Sequence, residues 1–518
     1  MIFFSWRIIF LASSFVAGFS LMTIELTAVR IVAPYIGLSV YTWTSIIGSV
    51  LLGHSIGSYL GGHVIDKYPS KKTLGISFLA AAILISIIPF LSFHLSILAQ
   101  WNMSLLAITL ISSLSLFFLP SLFLGTLYPS ILKLLSATID DLGKKSGLLS
   151  SLWSLGSILG TFLTGFYFIS YWGSFATIFF ITFILFILGA FFLKNYGKKY
   201  IAIIIAASIL LGILYINGKK TNEDRSSNLL FSKESQYYKI QVVKDWLPIW
   251  GNVKVLFLDF DSHNIEGKND QKLNIYTEIY PVFSVFNKHI QNILFIGGGS
   301  YSMAKKMASE NPRSRITVIE IDPLVTEVAK KYFNLDEFPI KTVNQDARFF
   351  LIKNREKYDL IFGDAYNSFI SLPWHLTTYE FNELTKTHLA ENGVYAVNFV
   401  SALEGENASF FQSMLETFKK TFPNYYLFAY GRKKTDSQNI ILVGLNSDNK
   451  IAIAGLRKKI KNIENGFFLA SKLVASPLHF ENIPILTDDF APVERLMMPI
   501  ANSYFSSYAS FYYNLTGR

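Results

Sequence analysis

The chain has 518 residues, 51% of them hydrophobic and only 16% charged, against about 25% charged in ordinary globular domains. Its net charge of +10 is uneven: residues 1–200 hold eleven bases against four acids (Glu25, Asp66, Asp140, Asp141), so +7 falls there and about +3 on the remaining 318 residues. That distribution argues against the basic face of a nucleic-acid-binding domain, and the lack of cysteine excludes disulfides, thiolate metal sites and cysteine nucleophiles.

Apolar stretches of the roughly 20 residues needed to cross a bilayer recur at about 8–29, 40–62, 74–98, 103–130, 147–170, 173–193 and 200–217, which predicts seven transmembrane helices within a domain spanning 1–217. The fourth contains Pro120 and Pro129 and is expected to kink. Bases cluster at Lys67/Lys71/Lys72, Lys133/Lys144/Lys145 and Lys194/Lys198/Lys199, and the positive-inside rule puts those three loops in the cytoplasm. Glu25 and Arg30, followed by Pro34 and Gly37, read either as an internal ion pair or as a substrate or headgroup site. His54 and His63 lie in a glycine-rich span, Gly53-x-x-x-Gly57-x-x-x-Gly61, whose spacing predicts close helix packing before transport. The run Gly57 to Lys67 also resembles a loop motif of major-facilitator transporters, without an evident internal repeat.

Residues 218–230 are polar and read as a linker. Alternating segments at Tyr237–Val243, Val253–Phe260 and Gln271–Tyr276 predict a small antiparallel β domain over 231–290. From 291 to 518 strands are expected at 292–296, 316–320, 341–344, 359–363, 394–399, 425–430 and 439–444, with helices between them. Such alternation predicts a mainly parallel sheet covered on both faces, a Rossmann-like α/β domain. Ligands of such sheets bind beyond the carboxyl ends of the strands. Gly297-Gly-Gly299 follows the first strand and lets a ligand approach the backbone closely. Position 302 is Ser, so the dinucleotide signature is incomplete. Glu320 closes the next strand, 23 residues after Gly297, and suits a ribose diol. Asp346 and Asp364 stand just past two further strand ends.

Taken in order, Glu234-Ser-Gln-Tyr-Tyr-Lys-Ile-Gln241, Leu258-Asp259, Tyr276-Thr-Glu278, Gly297-Gly-Gly299, Glu320-Ile-Asp322, Gln345-Asp-Ala347 and Tyr358-Asp-Leu-Ile-Phe-Gly-Asp364 resemble the spermidine synthase family over about 230–445. The opening Glu25…Arg30…Pro34 and the late Leu486-Thr-Asp-Asp-Phe-Ala-Pro-Val-Glu494 resemble its membrane-fused branch. The resemblance implies a methyltransferase-type domain that transfers an aminopropyl group from decarboxylated adenosylmethionine to a polyamine and releases methylthioadenosine. It implies that Glu320 holds the ribose hydroxyls, that Asp346 and Ala347 meet the adenine edge, and that Asp364 is the catalytic carboxylate. Chemistry supports the last role independently, since an amine attacking carbon beside a sulfonium must lose a proton. Gly297, Gly299, Ser300 and Tyr238 complete the expected donor site, with Glu278 and His375 as further catalytic candidates. Four positions depart from the family: Ser300 replaces an Asp that binds the donor's amine, Tyr238 a Gln, Asn367 the second Asp of a D-x-x-D loop, and Thr277 a His.

Structural roles compete with these assignments. Asp346 and Asp364 suit helix caps, Glu278 an exposed strand, His375 a turn before a helix, and Asp488 and Asp489 a structural role more than a metal site. The aromatic tail Tyr504–Tyr513 is expected to pack on the membrane or on the domain. The expectation is a multi-pass protein of a prokaryotic plasma membrane, with no metal and no cofactor beyond its nucleoside substrate. A seventh crossing would put the catalytic domain outside. The segment 200–217 is short and flanked by lysines, so it is expected to lie along the interface, leaving that domain cytoplasmic. The partners are the lipid membrane, the nucleoside and a polyamine or other amine acceptor, and homo-oligomerisation stays open. Two alternatives also stay open: a lyase that converts adenosylmethionine itself to methylthioadenosine and homoserine lactone, and a non-catalytic nucleoside sensor or transporter.

Overall fold

Long apolar runs satisfy their own backbone polar groups without water only as helices, and residues 6–193 are helical in almost every described position. The computed structural model describes the chain except for residues 1–5, 93–94, 96–102, 137–140, most of 199–227, 248–250, 260, 268–274, 366–371, 448–449, 476–479, 481 and 517–518. Contacts divide it into two units, Met1–Lys239 with Phe505–Arg518, and Ile240–Tyr504.

Within the first unit, four helical segments among the described residues are long and apolar enough to cross a membrane: Trp6–Ile36, Lys71–Leu91, Leu105–Leu135 and Leu142–Leu193. The expected seven crossings are therefore not confirmed. Val40–Lys67 is a helix of 28 residues, but its glycines, histidines and Asp66 dilute its apolarity. The expected spans 147–170 and 173–193 fall within one segment, interrupted by a π-helical stretch at Thr164–Trp172 and by Gly173 at φ +79°. Most of the expected 200–217 lies outside the described residues. The fourth span passes through Pro120 and breaks at Thr126, between Leu105–Gly125 and Leu127–Leu135.

The glycine stripe packs helices, as its spacing predicts. A Cβ on Gly53 would lie 2.4 Å from the Phe118 carbonyl oxygen, and one on Gly57 2.0 Å from that of Leu122. Only a residue without a side chain permits that backbone-to-backbone crossing. Of the two readings of Glu25 and Arg30, the ion pair is corrected. Among the described residues no ion pair joins it to Glu25; its guanidinium donates to the carbonyls of Tyr237 (2.6 Å) and Gln236. Glu234 accepts from the Ser174 amide (2.9 Å) and hydroxyl (2.6 Å), at the start of the helix Gly173–Leu193. Two motif residues thus serve to fasten the segment at 234–237 within the helical unit.

In chain order, β1 (Leu229–Glu234) belongs to the first unit, and β2 (Lys239–Leu247), β3 (Gly251–Leu258) and β4 (Asp261–Gly267) follow as an antiparallel meander. The strand expected at 271–276 is corrected: Ile275–Ile279 is a 3₁₀ turn, and residues 271–274 lie outside the described set. The third strand of the meander is instead Asp261–Gly267, whose polar sequence hides it from periodicity. His263 on β4 is half-buried, and loss of water around its ring pulls its pKa down to about 4. The unfolded chain, near 6.5, therefore binds the extra proton first. The contribution of His263 to stability is constant above pH 6.5 and falls as the pH drops from 6.5 to 4, by up to about 3 kcal/mol. Amide protection factors across β3 and β4, corrected for the intrinsic pH dependence of exchange, should fall over that window in the wild type and stay flat in His263→Gln.

The second sheet has seven strands in the order β10-β11-β9-β8-β5-β6-β7. Its members are β5 (Asn292–Ile296), β6 (Arg315–Glu320), β7 (Ile340–Asn344), β8 (Tyr358–Gly363), β9 (Leu389–Ser401), β10 (Tyr425–Ala429) and β11 (Gln438–Leu445). Strands β5 to β9 pair in parallel, and β11 runs antiparallel between β9 and β10. Inward residues such as Phe295, Val318, Phe362 and Val394 are fully or almost fully buried, each contributing about 1.5–3 kcal/mol of apolar burial. The strand order reverses between β5 and β8, which opens a crevice at their carboxyl ends.

Candidate active site

Backbone bonds tie the carboxyl ends of neighbouring strands together. The Gly297 amide donates to the Ile319 carbonyl (2.8 Å), Asp364 to Ile296 (2.8 Å) and Gln345 to Glu320 (3.2 Å). Gly297 has φ +99°, and a Cβ there would sit 2.8 Å from the Asp364 carbonyl oxygen, so the turn from β5 and the end of β8 touch through backbone alone. Gly299 and Tyr301 are also left-handed, at φ +52° and +61°, and lead into the helix Ser302–Glu310.

Glu320 ends β6 and is buried. One oxygen accepts from the amides of Gly298 (2.9 Å) and Gly299 (3.3 Å), the other from Asp322 (3.0 Å). Burial raises its pKa, and those three amides oppose the rise. A carboxylate has about four lone-pair sites, so Glu320 shapes the glycine turn and can still accept from a diol.

Asp364 is held from two sides. The Tyr276 hydroxyl donates to one oxygen at 3.1 Å and the Asn398 amide to the other at 2.8 Å; Asn439 on β11 in turn donates to Asn398 at 3.1 Å. Asn398 is fully buried on β9. Tyr276 and Asn398 belong to this centre and were not singled out from sequence. Tyr276 opens the motif Tyr276-Thr-Glu278, and Asn398 is the polar residue within the apolar run 394–399, a readable signal.

Asp346 caps the helix Ala347–Lys353 through the Phe349 amide (2.8 Å), and its second oxygen meets His375 Nε2 at 3.0 Å. His375 thus pairs with Asp346, and among the described residues no hydrogen bond joins it to Asp364. Glu278 sits in the 3₁₀ turn, held by Lys306 Nζ at 2.7 Å and Asn465 at 2.8 Å. Ala347 is buried at the first position of its helix. Tyr238 lies in a turn of the first unit, its amide on Ser235 Oγ at 3.0 Å. Asn367 lies outside the described residues.

Ser300 is buried, with its hydroxyl 2.8 Å from that of Ser302, which also accepts from Asn264 at 2.8 Å. This is a neutral cluster of hydroxyls and an amide. Asp488 forms a two-point ion pair with Arg348 (2.7 Å at Nη1) and accepts from Thr378 (2.8 Å); the same guanidinium reaches the His375 carbonyl at 3.1 Å. The Arg348 pairing holds the Asp488 carboxyl below the usual range. The late Asp thus fastens the Asp346 helix to the His375 turn. Among the described residues no group of three or more His, Cys, Asp or Glu is arranged to hold a metal.

This strand order, with one antiparallel strand beside six parallel ones, defines a methyltransferase-like α/β domain. Residues 274–450 match the spermine/spermidine synthase domain. A probable polyamine aminopropyl transferase of Bifidobacterium longum is 25% identical over 316 residues, 58% of this chain and 69% of that protein. The polyamine aminopropyltransferase of Vibrio vulnificus is 29% identical over 231 residues, 41% of this chain and 72% of that one. The crystal structure of a spermidine synthase from Thermotoga maritima overlays with a TM-score of 0.38 at 19% identity, covering 48% of this chain and 85% of that one. Over residues 274–450 the chain is thus similar to the spermine/spermidine synthase domain.

Proposed function

We propose that this protein is a membrane-bound transferase that binds decarboxylated adenosylmethionine, passes its aminopropyl group to an amine and releases methylthioadenosine. The observation that carries the proposal is Asp364, a carboxylate at the strand-order switch with both oxygens fixed by Tyr276 and Asn398. The acceptor nitrogen attacks the carbon bonded to sulfur, the carbon–sulfur pair leaves with methylthioadenosine, and Asp364 orients the amine and takes its proton. The sulfonium is already a good leaving group, so positioning supplies much of the acceleration. In this scheme Glu320 takes the ribose hydroxyls and Asp346 with Ala347 the adenine edge, while Gly297 and Gly299 allow close approach. His375 supports Asp346, and Glu278 supports the turn that presents Tyr276. The names of the relatives support the same chemistry. The domain faces the cytoplasm, where such nucleosides are made.

The neutral Ser300–Ser302–Asn264 cluster favours a second reading. Hydroxyl and amide donors receive a carboxylate better than they neutralise a lone ammonium. With adenosylmethionine itself, its carboxylate would attack the same carbon, expelling methylthioadenosine and closing homoserine lactone without a second substrate. Purified protein given each donor, with and without putrescine, separates the two. Methylthioadenosine that needs the decarboxylated donor and rises with putrescine upholds the transferase. Release from adenosylmethionine without any amine replaces it with the lyase. Binding without turnover of either donor leaves a nucleoside sensor.

A further inference from the structure

The helical unit carries a half-open cavity of about 720 Å³ among the helices Val40–Lys67 and Lys71–Leu91 and the segment Leu105–Leu135. That size lies within the roughly 300–1,000 Å³ of ligand sites. Its lining changes character along the helices. Lys67 and Lys72 stand where one helix ends and the next begins, whereas Leu60, Val64, Ile76, Leu122 and Phe123 follow one or two turns further in.

The polar groups of the lining are unequal. Thr73 donates to the Tyr68 carbonyl at 2.9 Å, Thr126 to Ser77 Oγ at 2.8 Å or the Phe123 carbonyl at 2.7 Å, and Ser130 to the Thr126 carbonyl at 2.7 Å. Those hydroxyl protons are committed to protein acceptors. The neighbouring acid, Asp66, is neutralised by Lys133 at 2.8 Å. Among the described residues, Lys67 and Lys72 have no ion pair; each lies over a ring, Tyr68 at 5.5 Å and Tyr200 at 5.0 Å, which leaves the charge intact. Two uncompensated ammonium groups beside an apolar chamber match a ligand with an anionic head and a hydrocarbon chain. Leu60, Val64 and Ile76 are each more than 40% exposed, so the apolar wall continues outward beyond the cavity.

We propose that this cavity seats the headgroup and the first part of one chain of an anionic phospholipid. The proposal rests on the membrane reading of this unit, and the test separates the two. Membranes carrying the full chain are first washed with carbonate; release into the supernatant overturns the membrane reading, and retention upholds it. The protein is then placed in lipid nanodiscs of phosphatidylcholine with and without phosphatidylglycerol, and retained lipid is measured by native mass spectrometry. Wild type is expected to keep phosphatidylglycerol selectively. The double variant Lys67→Ala/Lys72→Ala is expected to lose about fivefold in that selectivity per lysine removed. Val64→Trp, which fills the chamber and keeps both charges, is expected to lower retention as well. Equal retention of both lipids, or selectivity unchanged in both variants, overturns the lipid site. Stabilisation by inorganic phosphate alone to the same extent overturns the lipid in favour of a simple anion.

Discussion

Asp364→Asn is expected to cut methylthioadenosine release by about 10²- to 10³-fold at saturating substrate, the range for loss of a positioned proton acceptor. The substitution is close to isosteric. The Asn oxygen can still accept from Asn398, and its amide can donate to the Tyr276 hydroxyl, which is free to rotate and accept instead of donate. Both neighbours stay satisfied, so the fold and nucleoside affinity are expected to hold while the proton acceptor is lost. Single-turnover release measured beside donor binding by calorimetry distinguishes the two. Unchanged release in Asp364→Asn would remove this carboxylate from the chemistry and with it the main support for the transferase reading.

The second large effect is expected from Gly297→Ala. The added methyl would lie 2.8 Å from the Asp364 carbonyl oxygen and 3.0 Å from its carbonyl carbon, on a backbone at φ +99° that side chains rarely adopt. The clash is with main chain, so no rotamer relieves it. Strain and forced displacement together are expected to cost about 2–4 kcal/mol, and the displaced atoms belong to the residue that carries the chemistry. Activity should therefore fall with stability. Gly299→Ala is the internal comparison: it has φ +52° and open space around the new methyl, so only the left-handed cost of about 1–2 kcal/mol applies. Denaturant unfolding of the two variants should separate by that margin. Equal losses would mean that the Gly297 turn and the end of β8 do not touch as described.

The sequence made the mainly parallel sheet legible because seven short runs alternate with helical stretches, and each run became a strand. It made Glu320, Asp346 and Asp364 legible because acids at strand ends stand out. What escaped was whatever depends on partners distant in sequence. Asp364 sits beside Tyr276, 88 positions earlier, and Asn398, 34 later, and no local pattern announces such a meeting. The partners of His375 and Glu278, Asp346 and Lys306, are likewise 29 and 28 positions away and are not announced by any local pattern. The polar strand Asp261–Gly267 has no apolar period to betray it. In the helical half the glycine stripe was readable because close packing imposes a spacing. Arg30 was not, because its acceptors are backbone carbonyls 206 and 207 residues away.

The strand order has a consequence for how the chain is made. Translation delivers β5 to β9 first, yet β9 gains its outer neighbour only when residues 438–445 arrive, and that neighbour brings Asn439 to Asn398. Asp488, which fastens the Asp346 helix to the His375 turn, arrives later still. A nascent chain that stops before these residues holds every acid of the crevice but has an open sheet edge, which invites pairing with another chain. Assembly of this centre is thus a late event in synthesis, and truncated products should be prone to aggregation before they could bind a nucleoside productively.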